Sequence, residues 1–168
     1  MDAKLIPHPT TPSPFVHKID VQLRREGLLL WLRYSIGDDP TAIVWPEEAE
    51  AGRTDDLWRH TCCEVFVGTP DGYVEYNLSP SGRWASYRFD ATRCGMREAE
   101  EAAVVLAMDR GPDRMALEAR IELPYGARRL GLACVIEHRD GGFSYWALAH
   151  PSAKPDFHHP HSFVLELP

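Results

Sequence analysis

The chain has 168 residues, 44% hydrophobic and 26% charged, a composition typical of a folded domain rather than a disordered chain. Its 25 acidic and 18 basic residues give a net charge of −7 without any lysine- and arginine-dense run, so we expect neither nucleic acid nor membrane as a partner. The first residues lack the apolar segment of a signal peptide, and the cysteines have no disulfide-framework or zinc-finger spacing, so we expect a cytoplasmic protein with reduced thiols.

The N-terminal residues 1–14 predict a proline-rich extended arm. Pro7, Pro9, Pro12 and Pro14 exclude a helix or a central strand over the second half of this segment, because proline lacks the backbone N–H. We expect the arm to fold over one edge of a single domain formed by residues 15–168.

Strand patterns follow along that domain, each an apolar alternation or a short apolar run bounded by turn residues. In chain order they are Lys18–Arg24, Leu28–Ile36, Cys62–Val67, Tyr73–Ser79, Arg83–Phe89, Val104–Met108, Met115–Ile121, Leu130–Glu137, Phe143–Leu148 and Phe163–Leu167. Residues 97–103 have helical propensity, and their conformation stays open. Many short strands without sustained helical periodicity predict an all-β antiparallel sandwich of the jelly-roll or immunoglobulin-like kind.

The three strands between residues 62 and 89 allow side chains to be assigned to faces, because successive side chains of a strand alternate. A two-residue turn at Pro80 and Ser81 would place Asn77 directly across from Trp84. If the apolar sets face the core, the opposite face collects Glu64, Phe66, Glu75, Asn77, Trp84, Ser86 and Arg88. A one-residue slip in the first hairpin would exchange Glu64 for Val65 on that face.

Such a face has the chemistry of a polyol-binding site. An indole ring can stack on the apolar C–H face of a sugar, carboxylates and amides bind hydroxyls, and a guanidinium offers a fork of donors. The alternative interpretation is a solvated sheet face with cross-strand pairs of glutamate and arginine. The residues alone leave both interpretations open.

Three segments resemble a known family: DDLWRHTCCEVFV at residues 55–67, YVEYNLSPSGRWASY at residues 73–87 and PDFHHP at residues 155–160. They are similar to bacterial stand-alone DOMON-like domains, which are related to family 9 carbohydrate-binding modules. The resemblance covers most of the chain after Pro14 and is most specific at residues 55–89. It implies a β-jelly-roll sandwich that binds a sugar or a heme.

The resemblance also implies roles for individual residues. Glu64 and Arg88 fall where the carbohydrate-binding relatives contact sugar, and Trp58 or Trp84 would be the stacking ring. In the heme-binding relatives a methionine and a histidine are the axial ligands, and Met96 and His159 are the residues that could hold heme b here.

Two further hypotheses concern a metal ion and catalysis. His158, His159 and His161 cluster near the C-terminus, with His150 upstream, and an extended chain would let His159 and His161 bring two imidazoles to one metal ion. No third ligand has a spacing that indicates a metal site, and imidazoles that hydrogen-bond to backbone groups in a loop explain the cluster more simply. Glu64 and Glu75 could act as an acid and base pair in glycoside hydrolysis, but neighbouring strands provide such pairs almost anywhere. We therefore expect a non-catalytic domain, without metal, that binds a small sugar-like ligand through Trp58, Glu64, Glu75, Asn77, Trp84, Arg88 and His159.

Overall fold

The protein is described by a computed structural model over residues 1–167. Twelve antiparallel strands span these residues: β1 Asp2–Pro7, β2 Val16–Glu26, β3 Leu29–Asp38, β4 Cys62–Thr69, β5 Gly72–Leu78, β6 Trp84–Phe89, β7 Arg97–Glu98, β8 Ala103–Arg110, β9 Arg114–Glu122, β10 Arg129–Glu137, β11 Phe143–Ala147 and β12 Leu165–Glu166. The helical elements are three-residue 3-10 turns at Pro40–Ala42, Leu57–Arg59 and Pro160–Ser162. Over the described residues no helix is long and apolar enough to cross a membrane.

The strands form one curled antiparallel sheet in the order β7-β6-β5-β4-β10-β11-β1-β2-β3-β9-β8, with β12 beside β10. Most neighbours are joined by short connections, which antiparallel pairing permits. The sheet curls so that its two halves face one another. The Tyr34 hydroxyl on β3 crosses between the halves and donates to the Glu64 carbonyl on β4 at 2.9 Å. The prediction of a single all-β domain is confirmed.

The main hydrophobic core lies between the two halves of the sheet. The longer strands contribute alternate side chains to it, as the period of two requires; on β2, for example, Ile19, Val21 and Leu23 are buried while Lys18 and Arg24 are not. Residues from distant parts of the chain meet there, and they include Leu5, Tyr34, Val65, Tyr76 and Trp146. Each of these five is at most 1% exposed. This core holds the sheet in its curled form.

A second hydrophobic cluster lies on the other face of the half formed by β4, β5, β6, β10 and β11. Its members are Phe66, Tyr73, Ala85, Tyr87, Phe89, Ala133, Val135, Ala147, Phe157 and Phe163. Phe157 and Phe163 belong to the segment 155–163, which covers part of this face. The Phe163 ring packs against Gly131 so closely that an added Cβ there would lie 2.8 Å from it. Burial on both faces explains why β4 and β5 contain almost no exposed side chain.

One sequence-based expectation about local structure is wrong, and one open question is answered. Residues 2–7, expected to be part of an arm, form β1, which pairs with β2 through Asp2–Leu5 and with β11 through Ile6 and Pro7. Pro7 is tolerated because it ends the strand. Residues 97–103, whose conformation the sequence leaves open, contain β7 and the start of β8, since pairing with β6 and β9 outweighs a weak helical propensity.

The predicted register between β5 and β6 is also wrong, by one residue. Trp84 pairs with Leu78 rather than Asn77, and the Ser79 N–H donates to the Arg83 carbonyl at 2.9 Å. The connection therefore has three residues between that closing pair, and Gly82 supplies the positive φ of 94° that it needs. Because the side-chain period is two, this single residue exchanges the two faces of β6.

Candidate functional site

A cavity of about 700 Å³ opens on the second face of the sheet. It lies over β4, β5, β6, β10 and β11 and is bordered by the turn at Leu57–Arg59, the loop 90–96 and the segment 155–158. Its lining residues are Asp56, Trp58, Arg59, Glu64, Glu75, Tyr87, Phe89, Arg93, Met96, Val135, Phe143, Tyr145, Pro155, Phe157 and His158. The volume falls within the roughly 300–1,000 Å³ of ordinary ligand pockets.

The first hairpin brings the two predicted carboxyl groups to this cavity. Glu64 pairs with Asn77 and Phe66 pairs with Glu75, so these four side chains share the cavity face as predicted. Glu64 is 3% exposed and Glu75 6% exposed. Asn77, fully buried, donates from Nδ2 to Glu75 Oε1 at 2.8 Å and so fixes the orientation of that carboxyl group.

Trp84 and Arg88, by contrast, lie on the opposite face of the sheet, so the prediction that they share the site is wrong. The shifted register turns them toward the main core, and Ser86 with them. Trp84 packs against the core with the Arg53 guanidinium 4.8 Å from its ring centre, and Arg88 pairs with Glu101. The places expected for them are taken by Tyr87 and Phe89 of the same strand.

Trp58 lines the cavity, at its solvent-facing edge. The residue belongs to the 3-10 turn before β4 and is 47% exposed. The Arg59 guanidinium lies 5.2 Å from its ring centre and pairs with Asp56 at 3.1 Å. This indole is therefore the one of the two predicted tryptophans that is available to stack on a ligand.

His159 does not line the cavity; the neighbouring His158 does. His159 caps the last 3-10 turn by accepting from the His161 N–H at 3.2 Å, and the two imidazole centres are 5.1 Å apart. Met96, the other candidate heme ligand, lines the cavity and is 58% exposed. Among residues 1–167 no three His, Cys, Asp or Glu side chains converge as metal ligands do.

His158 connects two of the cavity's borders. Its Nδ1 lies 2.7 Å from the Tyr73 hydroxyl, which also accepts from the Arg93 backbone N–H at 3.1 Å. With the Tyr73 hydroxyl as donor, the remaining imidazole hydrogen is on Nε2, which lies 3.6 Å from Glu75 Oε2. This chain of contacts fixes the loop at residue 93 and the C-terminal segment relative to β5.

Burial sets the protonation of these groups. It raises the pKa of Glu75 to about 7, opposed by the Asn77 hydrogen bond and the Arg93 charge. Burial, reinforced by the charge of Glu75, raises the pKa of Glu64 well above its usual range. Burial and Arg93 lower the pKa of His158 to about 4, so it is neutral at pH 7 and forms no ion pair with Glu75 despite their proximity.

Several residues of the cavity could not be found from the sequence. Arg93, Tyr145 and Phe157 reach it from elements far apart in the chain, and no local pattern marks them. Tyr87 could have been found from the alternation of β6 if the connection before that strand had been assigned three residues.

Comparison with known proteins adds no relative: no protein-family model matches the chain, and no curated protein matches it. The resemblance to DOMON-like domains therefore stays a prediction from the three sequence segments that carry it. Function has to be inferred from the geometry and chemistry of the cavity alone.

Proposed function

We propose that the cavity binds a carbohydrate and that the protein is a non-catalytic binding domain. The observation that carries the proposal is the Glu64 carboxyl group, which lines the cavity while 3% exposed. Its oxygens are not among the fully buried atoms that lack a partner over residues 1–167, so they are open to the cavity. A ligand hydroxyl that enters the cavity can therefore donate a hydrogen bond to this carboxyl group.

The walls of the cavity support the same ligand class. Trp58, Tyr87, Phe143, Tyr145 and Phe157 surround the carboxyl groups with aromatic surface. A sugar ring offers both an apolar face for such rings and hydroxyl groups for the carboxyl oxygens.

Heme b, the alternative occupant, fits this cavity poorly. Nδ1 of His158 is bound by the Tyr73 hydroxyl, and Nε2 then carries the remaining imidazole hydrogen, so neither nitrogen offers a lone pair to iron. His159, the expected axial ligand, lies outside the cavity lining. We assign no role to heme. Hemin added to the purified protein should give no Soret band of a bound, axially ligated heme, and the appearance of that band would support heme over sugar.

Trp58 offers the most direct test of carbohydrate binding. Its indole lies at the edge of the cavity and is half exposed, so Trp58→Ala should leave the fold intact. Stacking on an aromatic ring is worth about 1 kcal/mol or more, so sugar affinity should fall at least about fivefold. Calorimetric titration of both proteins with glucose, galactose, cellobiose and maltose measures this loss of affinity.

Tyr125→Ala is the matched control, because Tyr125 is 97% exposed and does not line the cavity. The affinity of Tyr125→Ala for each sugar should equal that of the unmodified protein. Absence of binding for all four sugars would contradict the proposal, as would equal losses in the two variants.

A further inference from the structure

The two carboxyl groups of the cavity differ in how far the protein satisfies them. Glu75 Oε1 accepts from Asn77, whereas Glu75 Oε2 faces His158 Nε2 across 3.6 Å, beyond hydrogen-bond distance. The Glu64 oxygens are open to the cavity, since they are not among the fully buried atoms without a partner in the described residues. A ligand with several hydrogen-bond donors at one place can therefore bind both carboxyl groups.

Aromatic rings enclose the same space. Tyr87, Phe89, Tyr145 and Phe157 line the cavity together with the two glutamates. The faces of aromatic rings carry negative electrostatic potential and attract cations, most strongly where water is excluded. Carboxyl groups surrounded by aromatic rings are the surroundings that an organic ammonium group prefers.

The cations of the protein that border the cavity are already paired. Arg93 binds Asp156 with 2.9 Å between Nη2 and Oδ1, and Arg59 binds Asp56. His158 is neutral at pH 7 because burial lowers its pKa. Tyr87 donates its hydroxyl to Asp55 at 2.5 Å, which adds a further acid beside the site. The Arg93 charge acts to lower the pKa of Glu64, but burial and the charge of Glu75 outweigh it.

We propose that the bound carbohydrate is an amino sugar whose primary ammonium group lies between Glu64 and Glu75. This proposal rests on the carbohydrate binding proposed above and specifies its ligand class. A hydroxyl group donates one hydrogen bond, whereas an ammonium group donates three and also compensates the charge of the carboxylates. The aromatic rings complete the surroundings of the cation.

Binding of an ammonium group has a consequence for protons. Near pH 7 the Glu75 carboxyl group of the free protein is partly protonated, because burial raises its pKa to about 7; burial also raises the pKa of Glu64. An incoming cation favours the ionised carboxylates. The protons they lose pass to the buffer, while the ligand keeps its own, so complex formation releases protons. The affinity should rise as the pH rises toward about 7, the pKa of Glu75, and should fall at higher pH where the amino sugar loses its own proton.

Matched sugar pairs test the proposal by calorimetric titration: glucose with glucosamine, and galactose with galactosamine. We expect the amino sugar of at least one pair to bind about tenfold tighter than its neutral partner, with proton release measured in two buffers of different ionisation enthalpy. Glu64→Gln should remove this preference and leave the affinity for the neutral sugar within about threefold. Glu75→Gln is the second variant if Glu64→Gln does not fold.

Glu98→Gln is the control for long-range attraction by the negative protein, since it removes the same charge from an exposed position on β7. It should keep the preference for the amino sugar. Equal affinities within both pairs would overturn the amino-sugar proposal while leaving carbohydrate binding intact. Absence of binding by all four sugars would overturn both.

Discussion

Glu75 and His158 face one another in the cavity, with 3.6 Å between Oε2 and Nε2, yet burial moves their pKa values in opposite directions. The glutamate is harder to ionise and the histidine harder to protonate, because a charge on either group would lie in apolar surroundings. Both groups therefore favour their neutral forms in the free protein. The free energy of unfolding of the ligand-free protein should therefore depend on pH.

Glu75→Gln should make the protein more stable than the unmodified protein at alkaline pH. The folded-state pKa of Glu75 is raised to about 7 from 4.5, so its contribution to stability is complete below about pH 4.5 and is lost as the pH rises through 7. Glutamine keeps the acceptor for Asn77 and never ionises. Between about pH 5 and pH 8 the free energy of unfolding of the variant, relative to the unmodified protein, should rise by about 2 kcal/mol.

Urea denaturation at the two pH values measures this change. The same substitution at the exposed Glu98 is the control and should give no such change. A relative stability of Glu75→Gln that stays constant across this pH range would show that the Glu75 carboxyl group is ionised in the folded state at low pH as well, and burial would then not raise its pKa.

Arg88→Ala should lower stability and leave ligand affinity unchanged. Arg88 forms a partly buried ion pair with Glu101 on the sheet face opposite the cavity, and its loss leaves the Glu101 carboxylate without that partner. Breaking such a pair should cost about 1–3 kcal/mol of unfolding free energy. Lys18→Ala, at the exposed pair with Asp20, should cost under about 1 kcal/mol.

Urea denaturation and calorimetric titration of both variants measure these effects. A fall in sugar affinity for Arg88→Ala without a fall in stability would restore the sequence-based assignment of Arg88 to the binding site.

Gly72→Ala should destabilise the protein far more than Gly27→Ala. Both glycines have positive φ, but a Cβ at Gly72 would lie 2.0 Å from the Phe89 carbonyl oxygen, whereas at Gly27 nothing lies within 4 Å. The strain of positive φ costs about 1 kcal/mol, and the backbone clash at Gly72 should raise the total above about 3 kcal/mol. Thermal or urea unfolding compares the two. Equal effects would mean that the turn between β4 and β5 adopts another conformation.

The sequence predicts the strands well because their apolar alternation is local information. The first hairpin of the site could be assigned correctly, since Glu64, Phe66, Glu75 and Asn77 follow one consistent alternation. The two faces of β6 could not be assigned from the sequence, because they depend on whether the connection at Gly82 has two residues or three. Each face of β6 carries aromatic residues, so the apolar pattern does not show which face points to the core. A difference of one residue in the length of this connection therefore places two predicted site residues, Trp84 and Arg88, on the face opposite the cavity.

The remaining site residues depend on tertiary structure. His158 and His159 are adjacent and chemically identical, and only the path of the segment 155–163 across the sheet selects His158 for the cavity. Arg93 is held at the cavity by its contacts with Tyr73 and Asp156, which are distant from it in sequence. Such contacts are decided by packing and leave no periodic pattern in the chain.

The most direct test of amino-sugar binding in the cavity is an NMR titration of the ¹⁵N-labelled protein with glucosamine and, separately, with galactosamine. For at least one of them we predict chemical-shift changes at the amides of Glu64, Glu75, Arg93 and His158, which surround the cavity, and none at the side-chain N–H groups of Trp84 and Arg88, which lie on the opposite face. Shift changes centred on Trp84 and Arg88, or no saturable change at any amide, would contradict the assignment of the cavity as an amino-sugar site.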